Sequence, residues 1–597
     1  MTNSYYIKAV RFIYKHAKLW VIFSSFLAIV TGLIPLMTVW LSKEIVNEVS
    51  FLLTEEGIIY SKTVIELFIL QLLVFSFQKS IPNFQTYLNV KFEKKIDYEL
   101  EKKVSEKAAE SPLSYFENHK FHNHLERIQF SKGARFMSPI HSTFQILRSI
   151  ITVVSLAFYL VQYHWLLMVI VVIVVFPIIY IQIKFGKKQY LMHVFQTPEA
   201  REHSYLSALL TDRDSAREIR LFDLKGNFLD RWAFLFKKVS KEQVNLVKSR
   251  EKANTSINVL SSILYFIISL FLILIARNKA MQIGDFVSIL LSVQMVEKSL
   301  IEIATNIGEI YSENLYISDL FDFLEFTDAN QKKTSSIKEK SFSFKSSLEF
   351  KNVSFKYPYS EQLALNNVSF KINYGEKIAI VGENGSGKTT LINCLMGLYP
   401  LSKGEILIDG TDVGKINIKE LHKNITIIFQ DYIKYNFSLE KNITLSKEVD
   451  QERIKKVISK AEVESIVSKL PFGLKTILGK IFLDGEDLSE GQWQKIAIAR
   501  ALYKGGEIFI FDEPTSSLDP KAEMKVYEQF ENLTENKTSI FISHRMASTK
   551  IADRILVFSD GHLIEEGTHK ELITLNKEYA QLYNMQAKWH SEKEVGK

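Results

Sequence analysis

The long apolar runs of this chain are concentrated before residue 310. They fall into six stretches: Leu19–Leu41, Val64–Ile81, Phe144–Val161, Leu166–Ile183, Ile257–Ala276 and Phe286–Ile303. Several approach the roughly 20 residues that a helix needs to cross the bilayer's hydrocarbon core. The third and fourth are separated only by Gln162-Tyr-His-Trp165, which predicts a tight hairpin with aromatic side chains at a membrane interface. The second and sixth are interrupted by Glu66, Gln71, Gln294 and Glu297, so hydropathy alone marks them weakly. Beyond residue 340 the pattern changes to short buried-strand runs such as Lys377-Ile-Ala-Ile-Val381 and Ile508-Phe-Ile-Phe511, each ending in a polar or glycine-rich turn. A polar stretch, Thr327–Ser336, separates the two regimes and reads as a linker. The expected limits are 1–325 for a transmembrane domain with two long cytoplasmic helical extensions, 326–347 for the linker and 348–597 for an α/β domain.

Charge orients the membrane part. From Lys79, at the end of the second run, to Arg135, ahead of the third, the chain carries eleven Lys or Arg. The connection between the fourth and fifth is similarly basic, with Lys184, Lys187, Lys188, Arg213, Arg217 and Arg220. The connection after the first run carries Glu48, Glu55 and Glu56 instead. The excess of basic residues on cytoplasmic segments predicts that both long connections, and both termini, are cytoplasmic. A multi-pass protein of the cytoplasmic (plasma) membrane is expected. The first eighteen residues interleave Tyr5, Tyr6, Ile7, Val10, Phe12 and Ile13 with Lys8, Arg11, Lys15 and Lys18, a pattern for an interfacial helix and not for a cleavable signal. The net charge of +7 is accounted for by these basic segments and calls for no nucleic-acid partner. The single cysteine, Cys394, excludes an internal disulfide and is expected to pack inside a helix. At 597 residues, with 47% of them hydrophobic, the chain is too long for one core.

The chemistry is concentrated in Gly382-Glu383-Asn384-Gly385-Ser386-Gly387-Lys388-Thr389, followed by Thr390. It fits the phosphate-binding pattern G-x-x-x-x-G-K-[ST] and directly follows a strand-like run. A strand feeding a glycine loop that opens a helix turns several backbone N–H groups toward one point. The helix N-terminus adds partial positive charge there. Lys388 reaches the outer phosphates and the Thr389 hydroxyl can ligate Mg²⁺. The run Ile508–Phe511 ends in Asp512-Glu513-Pro514. A carboxylate delivered by a buried strand beside a phosphate loop positions the metal, and the adjacent Glu513 can orient or deprotonate an attacking water.

Between these motifs lies Leu488-Ser-Glu-Gly-Gln492, and after them come Ser516-Ser-Leu-Asp519 and Ser543-His544. This ordered set, from about Leu348 onward, resembles the nucleotide-binding domain of ATP-binding cassette (ABC) proteins. The resemblance implies that the signature segment of one subunit, with Ser489, Gly491 and Gln492, caps ATP held by the phosphate loop of another. It further implies that Tyr357 stacks on adenine, that Gln430 senses metal and membrane domain, and that His544 contacts the γ-phosphate. ATP and Mg²⁺ are the expected ligands, with Thr389, Gln430 and Asp512 as metal-side residues and Glu513, His544 and Lys388 as catalytic ones. Six spans with two long cytoplasmic extensions resemble an ABC exporter half-transporter. The fold class is therefore a six-span membrane α-helical domain of ABC exporter type plus an α/β P-loop ATPase domain. One chain carries the motifs for both half-sites, which favours a homodimer.

One position departs from the family pattern. The signature usually reads L-S-G-G-Q, and here Glu490 replaces the first glycine. Ser489 followed by Gln492 forms a capping-box pattern that makes Glu490 the first helical residue, where a carboxylate suits the helix dipole. It must still point away from ATP, and a lowered hydrolysis rate is the alternative.

Further details narrow the resemblance. Phe429-Gln-Asp-Tyr-Ile-Lys-Tyr435, Trp493-Gln-Lys-Ile-Ala-Ile-Ala-Arg500 and Ala216-Arg-Glu-Ile-Arg-Leu-Phe222 look like those of nisin-type lantibiotic exporters. The implied cargo is a modified precursor peptide; lipids or amphiphilic drugs are the alternative. No Cys precedes the first run, so leader removal is expected of another protein, with modification enzymes or a separate leader peptidase as partners. Ser114–Asn118 with Asn123–Arg127, and Arg213–Phe222, resemble the short coupling helices of exporters. Glu302, Asn306, Glu309 and Glu313 recur at i, i+4, i+7 and i+11 on one helix face. Lining a cavity, that stripe would favour a cationic or polar cargo; on a helix that has left the membrane it would be solvated.

Overall fold

The computed structural model describes the chain apart from residues 1, 55–61, 118–120, 122–131, 168, 170–179, 182–183, 186, 189–190, 193–196, 279–280, 326–343, 359, 514–525, 527–529, 532–533, 544–548, 550 and 586–597. His544, Ser516–Asp519, Asn123–Arg127 and the linker Thr327–Ser336 lie outside the described residues. The chain divides into two compact units. The first comprises Met1–Ser111 and Asn118–Phe326, the second Thr327–Lys597 together with the short segment Pro112–Glu117.

The described elements before residue 326 are helical. They are α1 (Thr2–Thr54), α2 (Lys62–Glu110), α3 (Leu113–Phe116), α4 (Lys132–Tyr163), α5 (Thr197–Thr211), α6 (Ala216–Leu221), α7 (Lys225–Asn278) and α8 (Ile283–Glu325). Among the described residues, α1, α2, α4 and α7 are long and apolar enough to cross a membrane. The fourth apolar run falls mostly outside them. The sixth run lies in α8, whose Glu297, Lys298 and Glu302 dilute its hydropathy. Helix α1 breaks at Ala17 (φ −136°, ψ 40°), just before the first apolar run. The basic segment ahead of the break is tied to the far end of α8 by Lys8–Glu325 (2.6 Å) and by a Tyr5–Asp322 hydrogen bond (2.5 Å). Val39 of α1, Leu156 and Leu160 of α4, Ile268 and Leu272 of α7, and Ile289, Val293 and Val296 of α8 form a shared buried cluster.

Polar side chains stitch α4 to α8. The Arg148 guanidinium donates to Glu302 at 2.7 Å and Ser149 Oγ donates to the same oxygen at 3.0 Å. Ser142 donates to Glu309 at 2.9 Å, and Arg135 Nε donates to Glu313 at 2.9 Å. Asn306 Nδ2 donates to the Glu302 carbonyl at 2.7 Å. The acidic stripe is thus a helix–helix ladder, an arrangement that helical periodicity alone does not reveal. At the other end of these helices Lys43 of α1 pairs with Asp285 of α8 at 3.0 Å, and the Tyr163 hydroxyl donates to Asp285 at 2.8 Å.

The C-terminal unit is an α/β domain. Its smaller sheet has the order β2-β1-β4-β5, built from β1 (Ser347–Phe355), β2 (Leu365–Asn373), β4 (Lys403–Ile408) and β5 (Thr411–Asp412). Its larger sheet has the order β10-β9-β3-β8-β7-β6. Here β3 is Lys377–Gly382, β6 Ile425–Ile428, β7 Ile508–Asp512, β8 Thr538–Ile542, β9 Arg554–Ser559 and β10 His562–Gly567. Strand β3 runs parallel to both β8 and β9, and β7 runs parallel to β6 and β8. The residues of β7 and β8 are all buried, which is why Ile508–Phe511 of β7 reads as a continuous apolar run instead of an alternating one. Helix α9 (Lys388–Leu395) follows β3, and buried Cys394 sits on it within the core shared by both sheets. Helix α10 (Ile418–Asn424) adds Leu421 to that same core, and a second buried cluster gathers α11 (Leu439–Thr444), α12 (Gln451–Lys460), α13 (Glu464–Val467) and α14 (Glu490–Lys504) around Trp493, Phe509 and Phe511.

Candidate functional site

The carboxyl ends of β3 and β7 emerge on the same edge of the sheet with β8 between them, the position where open α/β sheets hold ligands. Gly382 ends β3 at φ 152°, and a Cβ there would meet the Phe558 carbonyl oxygen at 2.1 Å. Gly387 opens α9 at φ 98°, where a Cβ would meet the Ala364 carbonyl at 2.6 Å. Both glycines are therefore required by close backbone approach as well as by conformation. Glu383, Asn384 and Gly385 are exposed at the tip of the loop, whereas Ser386, Lys388 and Thr390 are buried. Lys388 Nζ donates to the carbonyls of Gly382 at 2.9 Å and Glu383 at 2.7 Å. Burial pulls its ammonium below the usual lysine range, and the carboxylates of Glu513 and Asp512 oppose that shift. Three charged groups from two motifs thus share one field.

At the end of β7, Asp512 accepts a hydrogen bond from Thr389 Oγ1 at 3.3 Å. Burial pushes its carboxyl up to about 6, with the Thr389 bond and Lys388 acting against the shift and Glu513 and Asp431 adding to it. Glu513 turns the chain out of the strand at φ 46°, in the left-handed region, and its N–H donates to the Ile542 carbonyl at 3.0 Å. Ser543 N–H donates to the Ile380 carbonyl at 3.2 Å, binding the end of β8 to the phosphate-loop strand. A hydroxyl and a carboxylate oxygen side by side are the hard donors that Mg²⁺ takes.

Other sequence-predicted residues surround this centre. The Tyr357 hydroxyl hydrogen-bonds Thr390 Oγ1 at 2.9 Å, and its ring packs edge-on against Phe355 and Tyr399. Gln430 is exposed just past the end of β6, beside Asp431. Tyr399 also bonds Glu117, which belongs to the segment that groups with this unit. The signature packs into a different buried cluster from the phosphate loop. Leu488 and Trp493 belong to the helical cluster, whereas the loop's neighbours Leu391 and Ile392 belong to the sheet core. Ser489 caps α14 in a capping box: the Ser489 N–H donates to Gln492 Oε1 at 2.8 Å, and Ser489 Oγ accepts from the Gln492 N–H at 3.4 Å. Glu490 is the first residue of the helix, as the sequence pattern requires.

The family "ABC transporter" matches residues 365–516, and "ABC transporter transmembrane region" matches residues 21–298. The chain is 30% identical to the subtilin transport ATP-binding protein SpaT of Bacillus subtilis, over 92% of this chain and 88% of that one. The chain belongs to the ABC transporters. Its single transmembrane region fused to one nucleotide-binding domain makes this transporter a half-transporter of the exporter type, and it couples ATP hydrolysis to transport. The transporter is also 27% identical to the nisin transport ATP-binding protein NisT of Lactococcus lactis subsp. lactis, covering 96% of this chain and 94% of that protein. It is 30% identical to an ATP-dependent lipid A-core flippase of Polaromonas sp., over 75% of this chain and 74% of the flippase. In fold it matches a bacterial Atm1-family ABC exporter with ATP bound, with a TM-score of 0.80, 19% identity, and coverage of 96% of this chain and 99% of that one.

Sequence reading passed over Lys434, Tyr432 and Arg500 as individual residues. Arg500 donates to the Ile433 carbonyl at 3.2 Å and to the Asn442 carbonyl at 2.9 Å, and lies 4.8 Å over the Tyr435 ring. The available signal was the uncommon acid in the signature, which raises the question of where its counter-charge sits.

Proposed function

We propose that this protein is a homodimeric exporter of a lantibiotic-type precursor peptide across the cytoplasmic membrane. The observation that carries this reading is the breadth of similarity to two lantibiotic-peptide transport proteins, which extends over 92% and 96% of the chain. The flippase similarities are narrower, reaching 75% of the chain for the Polaromonas protein and 82% for that of Alcanivorax borkumensis. Both termini are cytoplasmic in this reading, the membrane domain extends over 1–325, the linker over 326–347 and the ATPase domain over 348–597.

Within the ATPase domain, Gly382–Thr390 cradles the phosphates and Lys388 and His544 contact the γ-phosphate. Thr389, Asp512 and Gln430 hold Mg²⁺, Tyr357 stacks on adenine, and Ser489, Gly491 and Gln492 of the second copy close the site. When bound, Mg²⁺ neutralises developing phosphate charge. Glu513 accepts the proton of the attacking water, and the close placement of its carboxylate to Lys388 and Asp512 supports that role. Closure of two nucleotide domains around two ATP opens the membrane domains outward, and hydrolysis resets them.

The test is ATPase activity of the purified protein in lipid, with and without a leader-bearing lantibiotic-type precursor. Stimulation that Lys388→Ala abolishes supports the reading. Robust activity indifferent to peptide but stimulated by small amphiphiles moves the cargo to lipids or drugs.

A further inference from the structure

Glu490 places a negative charge at the entrance of α14, where the helix N-terminus would otherwise present only positive potential. A carboxylate free to swing there would repel the γ-phosphate that a signature segment receives. The structure gives that carboxylate a partner on the protein surface. Lys434 Nζ donates to Glu490 Oε1 in an ion pair, and the Tyr432 hydroxyl donates to the Glu490 backbone carbonyl at 3.2 Å. Both partners come from the segment after β6, two and four residues beyond Gln430.

The same segment is fastened further along α14. Arg500, from the last turns of the helix, donates to the carbonyls of Ile433 and Asn442, to Asn442 Oδ1 at 3.2 Å, and covers Tyr435. Residues 432–435 therefore lie along α14 as one strap, pinned at the signature by Lys434 and Tyr432 and lower down by Arg500. Burial pushes the Tyr432 hydroxyl up to about 12, and the adjacent Glu490 charge adds to that shift, so it stays a donor. The net charge of the Lys434–Glu490 pair is zero, the same as the glycine usual at position 490.

We propose that Lys434 is a positioning residue for ATP: it turns the Glu490 carboxylate away from the nucleotide face of the signature, cancels its charge, and links the signature mechanically to the Gln430 segment. This rests on the reading in which the signature of one copy closes the ATP site of the other. It assigns the acidic signature and the lysine that accompanies it to one device. The carboxylate requires the lysine, because an unpaired Glu490 repels phosphate; with the carboxylate neutralised, the lysine is no longer needed.

The experiment compares wild type, Lys434→Ala, Glu490→Gln and the double variant as full-length protein in lipid, measuring KM for ATP and kcat. Lys434→Ala is expected to raise KM by roughly three- to tenfold, the range for a part-exposed charge pair near an anion. The increase should shrink between about 50 and about 300 mM salt, as screening of exposed charge requires. Adding Glu490→Gln to Lys434→Ala should return KM to near the wild-type value, a rescue that a purely structural lysine would not show. A wild-type KM in Lys434→Ala, or a double variant as impaired as Lys434→Ala alone, overturns the inference. Failure of the underlying site reading would look different: Ser489→Ala, in the signature itself, would then keep normal turnover. Thermal melting of each variant, expected to be unchanged, separates this from misfolding.

Discussion

Thr389 Oγ1 and Asp512 Oδ1 stand 3.3 Å apart, although 123 residues separate them in sequence. The first lies in the first turn of α9 and the second ends β7, so the contact depends on the parallel order β3-β8-β7 and on the register that sets Asp512 level with Ile542 and Ile380. The Ile542 carbonyl of β8, which takes the Glu513 N–H, fixes that level.

If the pair holds Mg²⁺, Asp512→Asn should keep the fold and ATP binding in the absence of metal. It should lose Mg²⁺-dependent tightening and lower turnover by on the order of 100-fold or more, since a metal supplies several kcal/mol of charge stabilisation. Thr389→Ala should do the same more weakly, because a neutral hydroxyl donor is removed instead of a charge. Nucleotide fluorescence titrations with and without Mg²⁺ check both; unchanged Mg²⁺ dependence in Asp512→Asn would remove the residue from the metal site.

Glu513→Gln should bind ATP close to normally and hydrolyse it roughly 10²–10⁴-fold more slowly, the usual contribution of a general base. Gln retains the shape and tolerates the φ of 46° as well as Glu does, so the loss would be chemical. The measurement is a single-turnover assay with nucleotide trapping; near-normal turnover would take the base role away from Glu513.

The two domain types, the phosphate loop and the strand that delivers Asp512 were legible in the sequence because each is a local pattern: an apolar run, a glycine spacing, a strand ending in an acid. The capping box that begins α14 at Glu490 was legible for the same reason, since Ser489 and Gln492 are three residues apart. What could not be read were partners distant in sequence. The acidic face of α8 has helical spacing on its own, but nothing local says that Arg135, Ser142 and Arg148 of α4 meet it. Lys434 is likewise unremarkable alone, and gains meaning only when α14 brings Glu490 beside it.

Cys394 offers a reporter for the ATPase core. It is 2% exposed on α9, and burial pushes its thiol up to about 12. At pH 8 a thiol of that pKa is only about 10⁻⁴ ionised, roughly 10³-fold less than an ordinary one. The native protein should therefore alkylate very slowly and the unfolded chain rapidly, with the thiolate fraction in the native core still rising tenfold per pH unit at pH 9. Saturating ATP, at about 100 times its Kd, should slow labelling a further ~100-fold where labelling requires opening of the domain. Fast native labelling would contradict the packing of α9.

The ladder between α4 and α8 makes a prediction about the membrane unit. Arg148 and Glu302 pair at 2.7 Å with about a third of each side chain exposed, and Ser149 adds a second donor to the same carboxylate oxygen. In an apolar surrounding the desolvation of two charges offsets much of their attraction, so the pair as a whole contributes little net stability. Removing one partner is different: Arg148→Ala leaves Glu302 with Ser149 alone, at a cost of roughly 3–5 kcal/mol if the site is fully dehydrated and less at this exposure. The double variant Arg148→Ala/Glu302→Gln should recover most of that loss. Melting temperatures in detergent for the two single variants and the double variant measure the coupling. Additive losses would mean that the two helices are held by their apolar contacts and that the ladder is incidental to packing. Recovery in the double variant would show that the loss in Arg148→Ala is the cost of the Glu302 charge left unpaired, so that the two helices carry these charges only as a pair.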